Sequence, residues 1–124
     1  MADSSFSYTS IFRGKTLMVV IPHEDDEINV AGSTIHGAIL EGVHVICVFS
    51  TWGDDLYTPD IRRREAVKAL KTLGVKEDDV IFLGYPDGGR YGESDPYIYG
   101  LNEPITVRGR HETYGTKAAP DFCM

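Results

Sequence analysis

Five consecutive residues, His23, Glu24, Asp25, Asp26 and Glu27, hold the densest chemistry in the sequence. They follow Pro22 and an unbroken apolar run at 17–21, and they lead into helical spacing. A turn built for phosphate would offer glycines and backbone N–H groups to the anion. This one has no glycine before Gly32 and carries four carboxylates in a row, so it repels phosphate and attracts a cation. His23 and Asp26, three apart across a strand-to-helix turn, can bend onto one ion, as imidazole and carboxylate do around Zn²⁺. Asp25 would then lie beside the ion, placed to take a proton from its water. A plainer reading fits the same residues. Carboxylates in a first helical turn are stabilised by the helix dipole, by about 0.3–1 kcal/mol each, and the histidine would be incidental. Spacing alone leaves both readings open.

The elements that must position this turn are legible around it. Residues 17–21 read as a strand buried on both faces of a parallel sheet, and such sheets place ligands at the carboxyl ends of their strands. A helix is predicted from 26 or 27 to 40, ending before Gly42, with Ile28, Ala31, Gly32, Ile35 and Ile39 on one stripe. His36 sits at that stripe's edge. Residues 43–50 form a second strand, with His44 at its far end and therefore structural. Thr58 and Pro59 open a second helix that runs to 73 and is capped by Gly74. Arg62 projects onto its apolar stripe in the first turn, near the acidic turn, and is read as a substrate contact; Arg63 and Arg64 lie to the side or away. Residues 80–83 form a third strand, and right-handed crossovers give the sheet order 3-2-1. The turns at 22–27, 51–55 and 84–90 then open on one edge. From about residue 84 the pattern turns irregular, with only 104–108 weakly strand-like. Tyrosines at 85, 91, 97, 99 and 114 serve either a sugar cleft or the packing of a loop.

Bulk properties narrow the partners. The chain has 124 residues and a formal net charge of −7, which suits one small domain and argues against nucleic acid or an anionic membrane as partner. Residues 1–13 read as a polar lead-in, with neither the basic nor the apolar part of a signal peptide. No stretch reaches the ~20 apolar residues of a membrane span. Cys47 and Cys123 make no disulfide framework, so reduced thiols and a cytoplasmic setting are expected.

The blocks taken together resemble the PIG-L/LmbE-like N-acetylglucosaminyl deacetylases. Pro22 to Glu27 is similar to that family's His-Pro-Asp-Asp-Glu signature, and Ala31-Gly32-Ser33-Thr34 to its small-residue turn. Thr51-Trp52-Gly53-Asp54, Arg62 through Glu65, Leu73-Gly74-Val75 and the run from Phe82 to Gly88 follow in order, so the likeness covers 14–89. The resemblance implies an α/β fold, a Rossmann-like three-layer parallel sheet, of which 14–124 would be the N-terminal portion. It implies a divalent metal, Zn²⁺ first, with His23 and Asp26 as ligands and Asp25 as general base. It implies that Arg62 and Asp87 hold an N-acetylated amino sugar, and that the reaction is hydrolysis of its N-acetyl amide.

Two departures qualify the likeness. Glu24 stands where the family has proline, adding a charge and removing a fixed φ. The family's downstream His-x-x-His block, which supplies a third ligand, is missing before Met124, and the setting of His111 does not match it. The expectation is an incomplete deacetylase domain, weak or inactive alone, prone to self-association or completed by another chain. The alternative is a non-catalytic sugar- or metal-binding fragment that acts through a partner chain.

Overall fold

The computed structural model describes residues 6–51 and 59–85. Three strands, β1 (Thr16–Ile21), β2 (His44–Thr51) and β3 (Val80–Tyr85), form a parallel sheet in the order β1-β2-β3, the order expected. The long helix predicted after β1 is instead two: α2 (Asp26–Asn29) and α3 (Gly32–Leu40). The Val30 N–H closes α2 on the Asp26 carbonyl, and a new ladder starts where the Ile35 N–H reaches the Ala31 carbonyl. The break turns Ile28 out of the expected stripe, to 45% exposure, while Ile35 and Ala38 are fully buried. Helix α4 (Pro59–Leu73) begins at the proline the sequence marks; its expected cap Thr58 lies outside the described residues.

Helices α3 and α4 touch each other and share one core with the sheet. Val45, Cys47 and Phe49 alternate inward along β2 and meet Ile35, Ala38, Ala66, Leu70 and Phe82. Phe49 and Phe82, paired across β2 and β3, stack with centroids 4.8 Å apart. Burial raises the Cys47 thiol to about 11, so it behaves as a small apolar core residue. The expectation that β1 is buried on both faces fails. Among the described residues it is an edge strand of the sheet, and Met18 and Val20 on its other face are 57% and 65% exposed. Among the described residues the helices make one layer on the sheet; the second flanking layer of a Rossmann-like sandwich is not among them. No described helix is long and apolar enough to cross a membrane.

Residues 8–12 of the expected lead-in form a short helix, α1 (Tyr8–Phe12). It docks beside α3, where a Cβ at Gly37 would meet the Tyr8 ring at 2.7 Å. Glu41, just past α3, ties it down. One carboxylate oxygen accepts from the Ser7 hydroxyl at 2.7 Å and from the Thr9 N–H and hydroxyl at 2.9 Å each. At the amino ends of the strands, His44 stands 2.9 Å from Asp79 and 3.2 Å from the Thr16 hydroxyl, a structural role as expected. His36 reaches the Leu73 carbonyl at 3.3 Å, joining α3 to the end of α4.

Two outcomes test this packing. The Thr9 N–H, then the Ser7 hydroxyl, lower the Glu41 carboxyl from 4.5 to about 2. A depressed carboxyl stabilises the fold above its unfolded value and stops doing so as pH falls through its folded value. Wild type should therefore melt above Glu41→Gln at pH 6, and the gap should close between about pH 4.5 and about 2; a gap that does not change with pH refutes the tie. Gly74 has φ +100°, and a Cβ there would lie 2.8 Å from Ile39 Cγ2. Gly74→Ala should lose more than ~1 kcal/mol in denaturant unfolding, since both backbone and space forbid the methyl.

Candidate functional site

The site begins where β1 is pinned to β2. The Pro22 carbonyl accepts from the Thr51 hydroxyl at 2.7 Å, the Thr51 N–H at 3.0 Å and the Ser50 hydroxyl at 3.2 Å. The pairing of β2 with β3 shifts register between Phe49 and Thr51, beside these contacts. Three donors on one carbonyl fix the direction in which the chain leaves β1. The sequence places Thr51 in the turn at 51–55, and nothing local in it marks this anchoring role.

Beyond Pro22 the turn sorts its side chains by burial. Glu24 and Glu27 point inward, at 4% and 2% exposure. His23, Asp25 and Asp26 face solvent, with side chains 49%, 79% and 33% exposed. A buried carboxylate is costly unless it is paired or hydrogen-bonded. Glu24 lies within ion-pair reach of Arg62, with its Oε2 3.9 Å from Nε. Glu27 accepts the Asp25 N–H at 2.7 Å. Burial pushes the Glu27 carboxyl upward first of all; hydrogen bonds from its own and the Asp25 backbone oppose this, and the charges of Asp25 and Asp26 add to it.

Asp25 sits at φ 99°, a left-handed conformation found at no other non-glycine among the described residues. Its carbonyl accepts from the Ile28 and Asn29 N–H groups, both at 3.1 Å, which starts α2. Such a conformation costs about 1–3 kcal/mol and persists where neighbours over-determine it. Here both sides of the residue are held. Its side chain meets α4: Arg62 Nη2 donates to Asp25 Oδ2 at 3.0 Å and also to the Glu24 carbonyl. Arg62 is where the sequence placed it, close to the acidic turn, and 17% exposed. Arg63, expected to the side or away, lies with its guanidinium 5.6 Å from the centre of the Phe82 ring. That contact helps seat α4 on the sheet.

His23 Nδ1 stands 3.2 Å from Asp26 Oδ2. Two donors each about 2.0–2.1 Å from a tetrahedral ion lie roughly 3.3 Å apart, so this pair could occupy two corners around one ion. The separation also spans a direct hydrogen bond between them. Among the described residues no group of three His, Cys, Asp or Glu gathers to hold a metal. A cleft of about 350 Å³ opens between α2 and α4, with Asp25, Asn29, Arg62 and Ala66 in its lining. His23 and Asp26 do not line it, which leaves Asp25 as the member of the trio that faces the cleft. Asp87, residues 52–55, the tyrosines from 91 onward, His111 and the weak strand at 104–108 lie outside the described residues.

The arrangement thus brings an imidazole and a carboxylate to 3.2 Å, with a second, exposed carboxylate beside them and an arginine braced against that second carboxylate. No curated protein and no solved structure matches the chain. A family match does, to GlcNAc-PI de-N-acetylase over residues 18–113. It extends past Gly89, the limit of the likeness read from the sequence, and it takes in the acidic turn, Arg62 and Asp87. The match spans most of the chain, and the protein belongs to the PIG-L family, whose activity is of the N-acetylglucosamine deacetylase type.

Proposed function

We propose that the chain acts in metal-dependent hydrolysis of the N-acetyl amide of an N-acetylglucosaminyl compound, with His23 and Asp26 as two of the ligands. The observation that carries this reading is the 3.2 Å approach of His23 Nδ1 to Asp26 Oδ2 beside an exposed Asp25. The donor set, one imidazole and one carboxylate, suits Zn²⁺. When bound, such an ion supplies Lewis acidity, making a water more acidic and polarising the acetyl carbonyl. Catalytic zinc takes three protein ligands, so the third would come from outside the described residues.

The chain's own residues supply the proton chemistry and the positioning. Asp25 takes the proton from the attacking water. As the amide C–N bond breaks, it returns that proton to the amine, leaving acetate and a free amino sugar. Arg62, through its 3.0 Å hydrogen bond, holds the Asp25 carboxylate at the mouth of the cleft. The cleft, at about 350 Å³, is within the range of small-molecule sites. Arg62 at its wall, together with Asp87, would hold the sugar's hydroxyl groups.

Among the described residues two donors converge rather than three, which favours a second reading: a sugar- or metal-binding chain that completes its chemistry with a partner. One assay separates the two. Acetate release from N-acetylglucosamine conjugates is measured with added Zn²⁺, for wild type and Asp25→Asn. The deacetylase reading expects zinc-dependent turnover that falls about 10²–10⁴-fold in Asp25→Asn. Turnover indifferent to Asp25→Asn contradicts it. Thermal stabilisation by the conjugate with no acetate released supports the second reading.

A further inference from the structure

We propose that Glu27 is the positioning residue of this site, its buried carboxylate clamping the Asp25 N–H and so fixing the angle between Asp25 and the His23–Asp26 pair. The inference rests on the reading of His23 and Asp26 as ligands, and it goes beyond that reading by giving a role to a buried carboxylate of the acidic turn that the ligand pair leaves out.

The geometry is specific. Glu27 is 2% exposed and lies two residues after the backbone amide it holds, with Asp25 N to Glu27 Oε2 at 2.7 Å. A carboxylate reaching back to a backbone N–H at a helix start is an ordinary capping device. Here the amide it caps belongs to the only non-glycine residue with positive φ among the described residues. A left-handed residue reverses the local direction of the chain, so His23 before it and Asp26 after it can face each other across Asp25. Helix α2 has only four residues and cannot hold this turn through its own ladder. The Asp25 carbonyl is held by Ile28 and Asn29, and its N–H by Glu27. Removing the carboxylate takes the acceptor from the Asp25 N–H, while Arg62 still holds the carbonyl of the same peptide.

Two substitutions separate the acceptor from the charge. Glu27→Gln keeps an oxygen at the same reach and relieves the burial of a third negative charge beside Asp25 and Asp26. Glu27→Leu keeps the bulk and removes the acceptor. The full chain is titrated with Zn²⁺ against a chromophoric chelator, with His23→Ala as reference, and hydrogen exchange of the Asp25 amide is followed by NMR without metal. We expect Glu27→Gln to bind zinc within about threefold of wild type, and Glu27→Leu to bind about 10–100-fold more weakly, the scale of losing a residue that orients ligands. We also expect an Asp25 amide protected in wild type and Glu27→Gln and unprotected in Glu27→Leu. Wild-type affinity in Glu27→Leu, with binding lost in His23→Ala, overturns the positioning role and leaves the ligand reading standing. If His23→Ala binds as wild type does, the ligand reading fails instead, and the exchange of the Asp25 amide alone decides the clamp. Should Glu27→Leu not fold, an unprotected Asp25 amide in wild type, or a tenfold loss of zinc in Glu27→Gln, overturns it.

Discussion

Four carboxylates on four successive residues cannot all face the same way, and the arrangement of this protein's site follows from how that repulsion is relieved. At a separation of a few ångströms like charges repel strongly wherever water is excluded. The turn therefore divides its acids. Glu24 and Glu27 go inward, one toward Arg62 and the other onto a backbone N–H. Asp25 and Asp26 go outward, where solvent screens them and where His23 joins them. Inward carboxylates brace the turn, and outward ones stay open to solvent. The left-handed backbone at Asp25 lets one short stretch do both.

The larger fold exists to hold that division in place. The Pro22 carbonyl, bound by Ser50 and Thr51, sets the exit from β1. Helix α4, anchored by Ala66 and Leu70 in the core and by Arg63 over Phe82, brings Arg62 to the turn from 37 residues away. Neither anchor is chemical in itself. Each fixes an atom that the site needs, and each comes from the carboxyl end of a strand or the first turns of a helix, where parallel α/β sheets place their ligands.

Much of this could be read from residue order. The apolar runs, Pro22, Pro59 and Gly74 marked the strands and the start and end of α4, and the strand–helix alternation implied the sheet order. His23 and Asp26 could be paired from their spacing, because residues three apart across a strand-to-helix turn can bend toward one point, as these do at 3.2 Å. The hidden features depend on contacts distant in sequence. Nothing local says that Glu24 is buried, since its partner arrives with α4. The break between α2 and α3 was invisible because the apolar stripe continues through it, and Ile28 on that stripe is in fact exposed. The open outer face of β1 was missed for a similar reason: an apolar run shows what a strand can bury, whereas Met18 and Val20 show what it has covered.

The account depends on His23 and Asp26 meeting on a cation. X-ray absorption at the zinc edge, on the full chain carrying one equivalent of Zn²⁺, tests this most directly. The account predicts an imidazole scattering pattern with first-shell distances of about 2.0–2.2 Å, and its loss in His23→Ala. A first shell of oxygens alone, or an imidazole signal unchanged by His23→Ala, would contradict it.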